Sequence, residues 1–199
     1  MAAEGTVRRR PVQRRSQERY ERILDAAAHL LDEVGYAALT TKEVARRAEV
    51  PIGTFYQFFP DKSVLVHALA SRNLDAYLDR LAAVERPETL EGTVEAAVEA
   101  FVAMRRTVPG FGVIDFGAGS RAEPMLTELL HVLDPAVDNN TAVALRVRDL
   151  FPALAGDLSV RVALECADAV LKLAFRVDPD GDPALIAECK KVLLSYLRA

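Results

Sequence analysis

Cysteine and histidine are scarce in this chain, which has two of the former and three of the latter in 199 residues. Cys166 and Cys189 lie 23 positions apart among apolar residues. That spacing neither demands nor excludes a disulfide, and it reads as two buried, inert thiols in a reducing compartment. The three histidines are dispersed; His29 has no His, Cys or carboxylate at ligand spacing. No Walker or dinucleotide glycine pattern, no HExxH and no nucleophile elbow occurs, so an enzyme is the weakest reading and no cofactor is expected. Nothing approaches the ~18 to 20 consecutive apolar residues of a membrane span. The arginine-rich start has no apolar run behind it, unlike a secretory signal. A cytoplasmic protein that uses no membrane and no metal is expected. Asp178-Pro-Asp180-Gly-Asp182 has the alternating acids of a calcium loop. However, Pro183 takes the place of the required glycine and Cys189 that of the bidentate glutamate, so it reads as an acidic turn in which Asp182 caps the next helix.

What the chain has is a charge asymmetry. The net charge is −4, and half the residues are apolar, enough for one large or two small cores. Residues 1–62 hold 11 Lys/Arg against 9 Asp/Glu, whereas residues 63–199 hold 14 against 20. Within the first part, residues 1–15 carry five arginines against Glu4 alone, with Pro11 and no apolar period. This arm is expected to be disordered when free, either lying along DNA phosphates or a minor groove or serving as a solvated tail.

Apolar residues then recur at three and four positions, the period of a helix. Tyr20, Ile23, Leu24, Ala27, Leu30, Leu31 and Val34 predict a helix over 16–34, stopped by Gly35. Asp61 stands as an N-cap for a long helix to about Val84, before Pro87; this helix would link two domains mechanically. Further helices are expected over 88–106, 123–133, 135–151, 159–177 and 183–197. Residues 107–122 hold four of the ten glycines and break the pattern. There is no strand alternation and no internal repeat.

Between the first and the long helix, residues 35–62 read as two short helices joined by a tight turn, the layout of a DNA-reading helix-turn-helix. Thr40 and Thr41 stand where an N-cap is needed, and Val44, Ala45 and Ala48 bury one face. Ala48-Glu49-Val50 makes the turn, Pro51 suits a helix start, and Gly53 and Thr54 are small enough for a backbone to approach a phosphate. Phe55 and Phe59 are core residues by size. Gln57 can pair bidentately with adenine, Thr54 can reach a base or a thymine methyl, and Ile52 offers apolar contact only. Thr41, Lys42, Arg46 and Lys62 put hydroxyl and positive charge on the same side.

From about Tyr20 to Leu69 this stretch resembles the N-terminal domain of the TetR family of ligand-responsive transcriptional regulators. The resemblance is carried by Gly35-Tyr36, Thr40, Thr41, Val44-Ala45, Ala48, Val50, Gly53-Thr54-Phe55-Tyr56, Phe59 and Lys62. It implies that Thr41, Tyr56 and Lys62 contact phosphates and that Ile52, Gly53, Thr54 and Gln57 approach bases. The chain departs from the family pattern at three positions: Glu49 stands for the usual glycine, Pro51 for a serine that would give a phosphate a hydroxyl, and Phe58 for a polar aromatic residue.

The implied fold class is all-α: a three-helix helix-turn-helix DNA-binding domain over 16–62, then a helical ligand-binding and dimerisation domain over 63–199. The last two helices carry broad apolar faces, including Cys166, Val170 and Leu173 on one and Leu185, Cys189, Val192, Leu193 and Tyr196 on the other. Those faces either pack on their own domain or, as the resemblance implies, form a four-helix interface in a homodimer that meets a palindromic double-stranded DNA operator. The resemblance further implies a pocket for a small-molecule effector. Candidate lining residues are Phe101, Met104, Phe111, Ile114, Asp115, Phe116, Met125, Leu129 and Leu133, with Arg105 and His131 as further polar groups. The expected function is a repressor released by a small apolar or amphipathic molecule. The rival reading is an architectural DNA-binding protein without a ligand.

Overall fold

A computed structural model describes residues 10–83, 89–113 and 157–198, which are helical apart from short connections. The expected helices over 123–133 and 135–151 lie outside the described residues. Two compact units part between Leu69 and Ala70, seven residues after the boundary expected at Lys62.

In the first unit, α1 spans Arg10–Ala38. It begins six residues earlier than its apolar period suggests, so its first turns take in Arg10 to Arg15 of the expected basic arm. The physical reason is local. Pro11 falls in the first turn, where a missing N–H costs nothing, and Arg14 and Gln17 reach Glu18 and Glu21 one turn on. Gly35 breaks the helical path at φ +72°, a conformation open to glycine and costly for other residues.

Thr40 caps α2 (Thr41–Arg47), its hydroxyl accepting the Glu43 N–H at 3.2 Å. The helix ends in a Schellman turn. Val50 N–H donates to Ala45 O at 3.0 Å, and Glu49 N–H to Arg46 O at 3.2 Å. This turn requires Glu49 at φ +54°, the position where the family pattern has glycine. Strain of roughly 1 kcal/mol is held there by the surrounding backbone bonds.

α3 (Ile52–Phe58) follows Pro51 directly. Its Phe55 and the adjoining Phe59 are fully buried with Ile23, Leu24, Val44 and Leu65. Tyr20 of α1 stacks on Phe59 at 5.2 Å between ring centres. Each such buried ring contributes roughly 1.5–3 kcal/mol, so the aromatic filling is what holds so small a unit together.

Asp61 starts α4 (Lys62–Ala83), its Oδ1 accepting the N–H groups of Ser63 and Val64 at 2.8 and 2.9 Å. The Ser63 side chain and these N–H groups hold its carboxyl below the usual carboxylate range. This helix begins in the first unit and ends in the second.

The second unit contains α5 (Leu90–Thr107), a 3-10 turn at Phe111–Val113, α6 (Asp157–Val177) and α7 (Pro183–Leu197). Side chains again set the helix starts: Thr89 accepts the Gly92 N–H at 3.1 Å and Asp182 the Leu185 N–H at 2.9 Å. Asp178 to Asp182 is a capping turn, as its sequence suggests. Gly181 lies there at φ +83°, and a Cβ on it would press Phe175 and Ile186 at 3.0–3.1 Å. α6 and α7 pack against each other and α7 against α5. Leu81, Val98, Val102, Phe111, Ala174 and Cys189 lie at the centre of this core. Lys190 ties α7 to α5 through Glu95 at 2.8 Å and Glu99 at 2.5 Å. Burial opposes the lysine's charge, and the two carboxylates more than offset it.

Candidate nucleic-acid interface and effector cavity

Because Thr40 takes the capping role, the Thr41 hydroxyl is left for another partner. It lies 3.1 Å from the Tyr56 hydroxyl, joining the start of α2 to α3 on the outside of the unit. Around this pair, Lys42, Pro51, Ile52, Gly53, Tyr56 and Gln57 are exposed and Thr54 is half-buried. Ile52 is 43% exposed and Tyr56 52%, high values for side chains of this size. A Cβ on Gly53 would meet no atom of the described residues within 4 Å, so none of them requires glycine at that position.

The cations differ from one another. Arg46 is held bidentately by Glu43 at 2.6 and 2.9 Å, and Arg47 by Glu33 at 2.6 Å. Lys62 is half-buried: Nζ donates to Tyr36 O at 3.1 Å and more weakly to Leu39 O at 3.5 Å, and lies 4.2 Å from the centre of the Tyr36 ring. Two of its three donors therefore close the end of α1, a structural task that spacing alone does not reveal. Phe58 packs edge-on to Tyr20 at 5.9 Å, so the aromatic residue without a hydroxyl serves the core.

The second unit holds an apolar cavity of about 80 Å³. Phe101 lines it together with Val98, Ala163, Leu164, Leu171 and Leu193. Among its described lining residues, polar groups come from Thr93, Tyr77 and Asp168. The Tyr77 hydroxyl donates to Ala97 O at 3.2 Å, and burial pushes its phenol far above the ordinary range. Asp168 is buried, with its Oδ2 2.7 Å from Lys172 Nζ.

Of the pocket residues expected from sequence, Phe101 lines this cavity, Phe111 lines a neighbouring one, and Met104 lies in the core. Ile114, Asp115, Phe116, Met125, Leu129 and Leu133 lie outside the described residues. The α6 contribution was missed, since an apolar stripe reads the same whether it faces a core or a cavity. The available signal was Asp168, a carboxylate on that stripe one turn before Lys172.

Cys189 and Leu193, expected at a dimer interface, are buried within this unit. Burial, with Cys166 nearby, raises the Cys189 thiol to about 11. Cys166, Val170 and Leu185 are half-buried, while Leu173, Val192 and Tyr196 are exposed. Leu158 and Val177, at 74% and 60%, are the most exposed large apolar residues on α6.

The family model described as "Bacterial regulatory proteins, tetR family" matches residues 23–69. A second, "Tetracyclin repressor-like, C-terminal domain", matches residues 88–199, more than half of the chain. The chain belongs to the TetR family.

As a TetR-family protein it is a DNA-binding transcriptional regulator with an all-α fold. A solved TetR-family transcriptional regulator from Streptomyces coelicolor is 38% identical, with a TM-score of 0.72 over 90% of this chain and 98% of that one. Salmonella enterica GusR, at 17% identity, shares the fold, with a TM-score of 0.66 over 96% and 98% of the two chains. Among curated relatives, the HTH-type transcriptional repressor KstR of Mycolicibacterium smegmatis is 44% identical over 69 residues. That match spans 33% of this chain and 34% of the repressor. Among the described residues, no helix is long and apolar enough to cross a membrane.

Proposed function

We propose that this TetR-family regulator is a repressor that binds a palindromic operator as a homodimer and is released by a small apolar or amphipathic effector held in its second unit. The observation that carries the reading is the outer face of α3. Ile52, Gly53, Tyr56 and Gln57 are exposed there, and Gly53 has no internal reason to be glycine. A glycine in open space lets a groove wall approach the helix backbone, with Gln57 and Thr54 in reach of base edges and the Thr41–Tyr56 hydroxyl pair in reach of a phosphate. The likeness to a transcriptional repressor supports the sign of regulation.

The homodimer rests on the exposed apolar residues of α6 and α7. Leu158, Leu173 and Val177 on α6, with Val192 and Tyr196 on α7, are exposed large apolar residues of the kind that a symmetric interface covers. Two-fold symmetry would give a palindromic operator. The effector rests on the apolar cavity with its few polar groups.

The test is selection of binding sites from random duplex DNA by the purified protein, followed by titration of the winner against salt. A palindrome bound by two chains is the expected result. Enrichment of no motif, with strong salt dependence, would replace this reading with that of an architectural DNA binder.

A further inference from the structure

Next to the apolar cavity lies a second one, of about 170 Å³, with different chemistry. Phe101 and Leu171 line both, so the two share a wall. The second is lined also by Arg105, Lys172 and Arg176, with Phe111, Gly112 and Phe175, and no carboxylate is among its described lining residues. Among the described residues, neither Arg105 nor Arg176 makes an ion pair.

Arg105 is also held in place. Its Cζ lies 5.3 Å from the centre of the Phe175 ring. On another side, its guanidinium occupies the space that a side chain at residue 112 would need: a Cβ on Gly112 would come within 2.8 Å of Cζ. A solvated surface arginine needs no such seat. Gathering cations without a carboxylate costs free energy through mutual repulsion, and an anion relieves it. The carboxylate on the apolar side, Asp168, is already matched by Lys172, so the described lining residues of the two adjoining cavities keep an excess of positive charge.

We infer that the effector is an amphipathic anion. Its carboxylate head is gripped by the Arg105 guanidinium, with Arg176 adding charge, and its apolar body passes Phe101 and Leu171 into the apolar cavity. The planar fork of arginine suits a carboxylate, and a charge-assisted bidentate pair gives both affinity and orientation. This inference rests on the reading that the second unit holds an effector, and it adds the charge of that effector and the residue that selects it.

The experiment compares octanoate, octanol and octylammonium by calorimetric titration and thermal shift on the full chain without DNA. Octanoate is expected to bind and stabilise, octanol to bind more weakly and octylammonium not at all. Arg105→Met should weaken octanoate by roughly tenfold to a hundredfold, the range for a lost hydrogen bond to a charged group, and leave octanol unchanged. Gly112→Ala keeps the charge but displaces the guanidinium, and should weaken octanoate several-fold. Equal binding of octylammonium, no binding of octanoate, or an unchanged octanoate preference in Arg105→Met would each overturn the inference. Release of operator DNA is measured separately. Release by a neutral molecule alone would overturn the anionic effector and leave the repressor standing. Octanoate binding without release would overturn the effector role while leaving the anion site.

Discussion

The Thr41 and Tyr56 hydroxyls stand 3.1 Å apart on the exposed side of the helix-turn-helix, joining the first turn of α2 to α3. An exposed neutral bond of this kind contributes about 0.5–1.5 kcal/mol at most. On the proposed reading, it fixes two hydroxyls where a phosphate can meet both. Tyr56→Phe should therefore leave the urea midpoint nearly unchanged and reduce DNA affinity by about tenfold for all sequences. The slope of affinity against salt should stay the same, because no charge is removed. A changed slope, or an unchanged affinity, would count against the phosphate role.

Gly53→Ala separates stability from function. Alanine has the better helix propensity by up to about 1 kcal/mol, and its Cβ meets nothing within the chain. The variant should be equally or more stable in urea, yet bind the selected operator about tenfold more weakly, as for one lost groove contact. Full DNA affinity would remove this face of α3 from the interface.

For Lys62 the expectation is the opposite one. Its ammonium closes the end of α1 through Tyr36 O and Leu39 O, so Lys62→Met should destabilise the protein by about 1–3 kcal/mol before any effect on DNA is considered. Denaturation in urea checks this, and parental stability would reduce Lys62 to a surface charge.

Placing a charge on the exposed apolar residues of α6 tests the dimer. Leu173→Glu combined with Val177→Glu should give a monomer in sedimentation with helical content intact, since both side chains are exposed within the chain. DNA affinity should fall with the loss of the second reading head. A dimer that survives this pair of charges would place the interface elsewhere.

Acid should weaken the fold through His67. Burial holds the imidazole of this half-buried α4 residue below its ordinary value of 6.5. The unfolded chain therefore takes up a proton near pH 6.5, while the folded chain takes it up only at lower pH. Between those values the unfolded state binds more protons, and stability falls as pH falls. Tm should drop between about pH 7.5 and 5.5, and His67→Gln should reduce that drop. Asp61, with a carboxyl held below 3.8, titrates outside this window. An identical pH profile for the variant would assign the effect to other groups.

The sequence made the helix starts legible because their causes are local. Thr40, Asp61, Thr89 and Asp182 each cap with their own side chain, and the helices that follow begin within a residue or two of expectation. The early start of α1 was hidden because Arg10 to Arg15 carry no apolar period and their support comes from pairs one turn away. The cavity was less legible still. Phe101 was expected to line it, but Val98, Ala163 and Leu171 on two helices look identical to core positions until tertiary packing shows which leave space between them. Burial also divided the expected dimer residues, taking Cys189 and Leu193 inward and leaving Val192 and Tyr196 outside.

The Schellman turn after α2 is made of main-chain bonds alone, from Val50 to Ala45 and from Glu49 to Arg46. The bonds of this turn thus draw on none of the side chains of Ile52, Thr54 and Gln57. Ile52, Thr54 and Gln57 can be exchanged during evolution without removing those bonds. On the proposed reading of α3, a lineage can drift from one DNA address to another by single substitutions that leave the turn intact, and a designer can follow the same route.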